Sequence, residues 1–192
     1  MKYVHSFSNK NKIVFDNKLN INDIKNFRKY SFKLIFIHNK EVLLFNNKSF
    51  CVPYSKLISL KNKLTNPILL GKINSTIFLG FIVKNKLLNS ISKIIKNTPV
   101  KIRDSISLID IKIVPYITTL YSLSVWINKN KYCSNCGKKN TLIEFAQSIQ
   151  CNNKSCNIRI FPRIDPAVIM LIYYKNKILL ARNKNWRKNL YS

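Results

Sequence analysis

The sequence predicts an α+β protein that carries a cysteine ribbon between its two halves. Three observations lead there. Short apolar runs separated by Asn- and Lys-rich stretches recur along the chain, among them SFKLIFIHNKEVLLFNN and STIFLGFIVKNKLL, and such runs read as strands. One stretch breaks that rhythm, placing apolar residues at helical spacing from Ile113 onward. Four of the five cysteines then fall in two close pairs between Cys133 and Cys156.

Taken in order, SFKLIFIHNKEVLLFNN reads as a hairpin whose turn holds His38, Asn39 and Lys40. STIFLGFIVKNKLL reads as a second strand–turn–strand unit, with Gly80 inside its first strand. After NTPV the pattern changes. Ile113, Ile117, Leu120 and Tyr121 form one apolar helical face, and Pro115 suits a first helical turn because its missing N–H would be unsatisfied there anyway. That helix is expected to reach about Trp126, where NKNK loops into the cysteine segment. Beyond the cysteines, DPAVIMLIYYKNKILLARNKNW is again strand, turn and strand. Both TIFLGFIV and AVIMLIYY read as buried strands, being far short of the roughly 18 residues that cross a bilayer. The strand–turn–strand units on either side of the cysteines share a rhythm but no fixed-period repeat.

Two residues separate Cys133 from Cys136, fourteen separate Cys136 from Cys151, and four separate Cys151 from Cys156. Pairs spaced by two to four residues lie on tight turns that aim their sulfurs at one centre, the pattern of a four-thiolate structural zinc. Gly137 follows the first pair, where such a knuckle needs a left-handed backbone. The N-terminal MKYVHSFSNK lacks the apolar core of a signal peptide, so a cytoplasmic location is expected, and reducing conditions there argue against disulfides. A thioredoxin-type redox pair leaves the second pair of cysteines without a role. Four sulfurs close the zinc shell, so the metal is expected to hold the fold and activate no water. Cys51, alone in SFCVPYS, reads as a small core residue. His5 and His38 have no serine or carboxylate pattern around them and read as solvated or turn residues.

Composition narrows the function classes. The formal charge is +27, from 34 Lys and Arg against seven Asp and Glu, and Glu41 and Glu144 are the only glutamates. Only six of the cations are Arg, the residue phosphate readers favour, and the lysines are scattered as KNK units. Enrichment in Lys, Asn and Ile is what AT-rich coding produces, and it accounts for the charge better than a dedicated nucleic-acid surface does. With three glycines there is no phosphate-cradling loop, and no paired carboxylates stand at helical spacing, so no complete catalytic site is expected within these residues.

The run KYCSNCG, the second knuckle and FPRIDPAVIMLI resemble the zinc ribbon and first core strand of the NAD(H) diphosphatases, a branch of the Nudix hydrolases. Upstream, IRDSISLIDIKIVPYITTLYSLSVWINKNKYCSNCG is similar to that family's Arg, helix, Trp and first knuckle, and IFLG resembles its N-terminal domain. The resemblance implies a Nudix-like N-terminal domain over residues 1–128, a zinc ribbon over 129–163 and the start of a Nudix α/β/α domain over 164–192. It also implies hydrolysis of the NADH or NAD pyrophosphate to a nicotinamide mononucleotide and AMP, with NAD-capped RNA as a further substrate. Mg²⁺ or Mn²⁺ on the glutamates of a Nudix box and a homodimeric enzyme belong to the same expectation.

Carried over to this chain, the ligands of a structural zinc are Cys133, Cys136, Cys151 and Cys156, and the substrate contacts are Arg103 and Phe161. A guanidinium can clamp a phosphate and an aromatic face can stack on a nucleobase. The plainer alternatives are that Phe161 packs the ribbon and that Arg103 serves a helix end. In the family the Nudix box begins just beyond the position of NWRKNLYS, so no catalytic residue is assigned here, and an inactive piece of the enzyme is expected. The rival reading is a zinc-ribbon module that binds RNA or another polyanion without catalysis.

Overall fold

The structure, a computed structural model, describes residues 31–105, 108, 110, 112–163, 168 and 170–192. His5 and part of AVIMLIYY lie outside the described residues. The chain divides into two compact units, Met1–Pro162 and Arg163–Ser192.

The first unit is built on a mixed sheet. Strand β1 (Ser31–His38) pairs antiparallel with β2 (Glu41–Phe45) through the Asn39-Lys40 turn, as its hairpin signature predicts. Both turn residues are left-handed, with φ of 46° and 67°, which matches the twist of a two-residue hairpin. A short β3 (Val52–Pro53) lies on the other half of the same β1 edge. Strands β4 (Ile68–Ile73) and β5 (Thr76–Ile82) form a second hairpin, β5 runs parallel to β1, and β6 (Asn97–Lys101) closes the far edge against β2. The sheet order is β4-β5-β1-β2-β6.

Strand β1 reads FKLIFI because both faces of the sheet are covered. Phe32, Leu34 and Phe36 join Leu57, Leu60 and Ile91 in one core, while Ile35 and Ile37 join Phe78, Tyr116, Ile117 and Leu120 in the other. A 3-10 segment, Tyr54–Leu60, and helix α1 (Asn85–Ser92) cover the first face. The second is covered by α3 (Val114–Lys129), which follows the four-residue α2 (Ile102–Ser105). Helix α3 runs one turn beyond the expected Trp126, and Pro115 sits in its first turn.

Two expectations need correction here. Only the first half of STIFLGFIVKNKLL is a strand; its second half opens α1, because Leu87, Leu88 and Ile91 recur at helical spacing and pack on the first core. His38 is not a solvated turn residue but only 9% exposed, since its Nδ1 lies 3.0 Å from the Val83 carbonyl oxygen.

The helical face also has a member that the periodicity omitted. Tyr116 stacks on Phe78 with ring centroids 4.2 Å apart, and its hydroxyl finds no hydrogen-bond partner among the described residues. A buried unsatisfied hydroxyl costs about 1–3 kcal/mol. Tyr116→Phe is therefore expected to raise stability by an amount in that range, read as an increased urea midpoint with an unchanged slope. A loss of stability on this substitution would reveal a partner for the hydroxyl.

Residues 131–162 form the ribbon, a three-stranded antiparallel sheet of β7 (Asn140–Ile143), β8 (Ser148–Cys151) and β9 (Arg159–Ile160). Its β7–β8 turn places Glu144, Phe145 and Ala146 all at positive φ, a strained run for side-chain-bearing residues. The turn is held from outside the ribbon. Phe145 packs on the first core, Ala146 is buried in the second, and the Leu69 N–H donates to the Phe145 carbonyl oxygen over 3.2 Å.

In the second unit, β10 (Tyr173–Tyr174) and β11 (Lys177–Ile178) make the predicted hairpin around Lys175, but only two residues of each strand pair. The AVIMLIYY residues that the structure describes are exposed and not buried, Val168 by 87% and Met170 by 79%. A two-stranded ribbon has no second layer within this unit to bury them against. No helix among the described residues is long and apolar enough to cross a membrane.

Candidate metal centre

The first knuckle is a tight turn closed by its own backbone. Cys133 N–H donates to the Lys138 carbonyl oxygen over 2.7 Å, and Gly137 N–H donates to that of Cys133 over 2.9 Å. Gly137 adopts a φ of 70°, the left-handed conformation expected of it. The second knuckle repeats the device without glycine. Cys156 and Asn157 both donate to the Asn153 carbonyl oxygen, and Asn157 takes the positive φ of 45° that Asn tolerates. The β7–β8 pairing, which sets Asn140 opposite Cys151, brings the two knuckles face to face.

The four sulfurs converge. All lie within 4.8 Å of one another, with Cys136 and Cys151 Sγ at 3.4 Å and Cys133 and Cys156 Sγ at 3.8 Å. A disulfide needs about 2.05 Å, so these are free thiols. Four ligands at about 2.3 Å from a tetrahedral centre stand about 3.8 Å apart, so the set can hold a metal ion and fits a structural zinc. Cys133 and Cys151 are buried and the other two half-buried.

The sulfurs differ in their electrostatics. Backbone N–H groups, chiefly that of Lys138, draw the Cys136 thiol down to about 6, and the backbone of Cys136 and Asn135 lowers that of Cys133. Burial pushes Cys151 up to about 12. Around the sulfurs stand donors that the cysteine spacing did not reveal: Asn135 Nδ2 is 3.4 Å from Cys156 Sγ, and the Asn153 N–H is 3.4 Å from Cys151 Sγ. Only Asn135 had a legible signal, an Asn between the first two cysteines whose short side-chain amide can turn onto a thiolate; the Asn153 donor is a backbone N–H, which residue type does not announce.

The two expected substrate contacts are not in this cluster. Arg103 is exposed on α2, immediately after the edge strand β6. Phe161 follows β9 and is 59% exposed. One face of its ring already carries the Arg159 guanidinium, whose carbon lies 4.8 Å from the centroid. Arg159 also donates to Ser148 Oγ and pairs with Glu144, so it ties the ribbon sheet to its own turn. Cys51 is half-buried with its Sγ 3.6 Å from Ser49 Oγ, apart from the cluster.

No protein-family model matches the chain. The chain is similar to curated Nudix hydrolases at modest identity over about a third of its length. It shares 33% identity over 73 residues with Nudix hydrolase 19, chloroplastic, of Arabidopsis thaliana, covering 37% of this chain and 17% of the relative. With the NAD-capped RNA hydrolase NudC of Pseudomonas putida strain F1 it shares 31% over 70 residues, covering 36% of this chain and 25% of the relative. A NudC of Pseudomonas fluorescens strain Pf0-1 matches at 30% over 70 residues. The chain thus spans a quarter or less of the length of the first two of these relatives.

Proposed function

We propose that this chain supplies the zinc-ribbon portion of a pyrophosphate hydrolase acting on NAD-type substrates, NADH, NAD or NAD-capped RNA. The observation that carries this reading is a four-thiolate ribbon in a chain 31% identical over 70 residues to an NAD-capped RNA hydrolase. Cys133, Cys136, Cys151 and Cys156 hold one zinc, which supplies cross-linking of the two knuckles and no reactive water, because all four of its positions are taken by sulfur. The chain's own residues contribute scaffold and substrate contacts. In this reading Arg103 clamps a phosphate and Phe161 stacks on a base, its free face opposite Arg159. A reducing cytoplasmic setting and a homodimeric complete enzyme go with it.

In this reading the chemistry needs acids that the sequence does not set close together. Hydrolysis of a diphosphate requires Mg²⁺ or Mn²⁺ on clustered carboxylates. Of the seven acids, at positions 16, 23, 41, 104, 110, 144 and 165, no two stand within four residues of each other, and Glu144 is engaged by Arg159. The chain by itself is expected to release no AMP from NADH with Mg²⁺ or Mn²⁺ present. Joined to the Nudix-box half of the Pseudomonas putida relative it is expected to do so, and Phe161→Ala or Arg103→Ala then to raise KM with zinc content and melting temperature intact. AMP release by the chain alone, or a fusion that binds RNA tightly but hydrolyses nothing, would replace this reading with another.

A further inference from the structure

A second site stands apart from the ribbon, at the carboxyl ends of the two parallel strands. Strands β1 and β5 end side by side, with Ile37 opposite Ile82, and the chain leaves them in different directions. From β1 it turns into the Asn39-Lys40 hairpin; from β5 it passes through Val83 and Lys84 into α1. Such a divergence leaves a crevice, and open sheets with parallel strands hold ligands there. Here the crevice is a cavity of about 840 Å³, within the range of about 300–1,000 Å³ that small-molecule sites occupy.

Its lining combines cations with the apolar Ile37, Ile82 and Val83. Lys40, Lys84 and Lys86 reach it from the two chain exits, and no carboxylate is among the described residues that line it. None of the three lysines makes an ion pair with a described residue. Three uncompensated cations around one concavity favour an anion. Asn85 and Lys86 open α1, whose N-terminus has no side-chain cap, so free backbone N–H groups stand at the same rim. The wall from α3 is already satisfied, since Ser124 Oγ donates to the Tyr121 carbonyl oxygen and Asn128 Nδ2 donates to that of Ser124.

The rim is also rigid. His38 Nδ1 donates to the Val83 carbonyl oxygen, and its Nε2, 3.0 Å from Asn39 Nδ2, accepts from that amide. This buried ring therefore ties the end of β1, the end of β5 and the lysine-bearing turn together. Ile82, which also lines the cavity, is 37% exposed and offers a branched apolar side chain there.

We propose that this cavity binds a phosphorylated ligand of the nucleotide class, its phosphates on Lys40, Lys84 and Lys86 and its ribose or base on Ile82. The site is independent of the metal centre and of the hydrolysis reading. It is tested on the full zinc-replete chain by calorimetric titration with ADP, inorganic pyrophosphate and a 5′-phosphorylated RNA pentamer at one ionic strength. ADP or the pentamer is expected to bind more tightly than pyrophosphate. The tighter of those two then identifies the source as a free nucleotide or an RNA end.

Lys40→Gln/Lys84→Gln/Lys86→Gln is expected to weaken binding by about tenfold or more, as loss of several charge-assisted contacts requires. Lys56→Gln/Lys93→Gln/Lys154→Gln removes the same charge from exposed positions outside the cavity and is expected to change it by less than about twofold. Lys86→Gln alone, with an unchanged melting temperature, gives the same direction should the triple variant be destabilised. Equal losses in the two triple variants, pyrophosphate binding at least as tightly as both ADP and the pentamer, or no saturable binding at millimolar concentration overturns the proposal.

Discussion

Cys151→Ser will empty the metal centre and unfold the ribbon while the β1–β6 sheet stays folded. Zinc content is expected to fall from about one equivalent to near zero, because serine offers no soft thiolate at the one ligand set inside a strand pairing. The ribbon cannot compensate. Its strands have four, four and two residues, and Ile149 is the one fully packed aliphatic residue within them. A sheet of that size needs a staple, and a structural zinc supplies about 10 kcal/mol or more of folding free energy in small metal domains. The larger sheet has cores on both faces that are built mainly from residues outside the ribbon, Phe145 and Ala146 being the ribbon's share.

The effect is read as loss of amide protection confined to residues 131–162, with elemental analysis alongside. Full zinc occupancy in Cys151→Ser would falsify the assignment. Acid should mimic the substitution. Cys136, drawn down to about 6 from an ordinary 9.0, favours the folded knuckle fully above 9.0 and loses that contribution as pH falls through about 6. Zinc also requires thiolates, so metal retention is expected to fall with pH in the same direction.

The second large effect lies where α3 crosses the sheet. Gly80 sits in β5 beneath Leu120, and a Cβ built there meets Leu120 Cδ1 at 2.4 Å, Cδ2 at 3.0 Å and Cγ at 3.1 Å. No small rotation clears three atoms of a side chain that is itself 0% exposed in a close-packed core. Gly80→Ala is therefore expected to cost about 1–3 kcal/mol by overpacking, although alanine is the better strand residue elsewhere. Leu120→Ala is expected to cost about 2–5 kcal/mol as a cavity. Combining them should cost clearly less than the sum, since each removes the other's fault, leaving a coupling of about 1 kcal/mol or more in urea titrations. Strict additivity would mean that the helix does not rest on Gly80.

The second prediction concerns a residue whose type was visible in the sequence and whose partner was not. Gly80 was legible as a glycine inside a strand, yet nothing in the sequence said that Leu120, forty residues on, packs against it. The helix that carries Leu120 was legible from Ile113, Ile117 and Leu120 at helical spacing, because one buried stripe leaves a local signature. Tyr116 was not, because its burial depends on Phe78 across the sheet. KNKLL misled for the same reason: a short apolar run after a strand fits either structure, and only packing of Leu87 and Leu88 on the first core chose helix.

For the metal centre, spacing alone determined the ligand set, since tetrahedral thiolates require pairs on tight turns and local turns are encoded locally. Tertiary structure decided the rest. The Glu144-Phe145-Ala146 turn carries no glycine to announce its left-handed backbone, and its conformation is held by packing on two cores and by the Leu69 N–H. The lysines at 40, 84 and 86 read as scattered charge until two parallel strands ended side by side and brought them to one cavity. Turns, helix stripe and cysteine pairs were determined by the sequence because their physics acts over a few residues; which faces they meet was not, because that is decided by residues far apart in the chain competing to be buried.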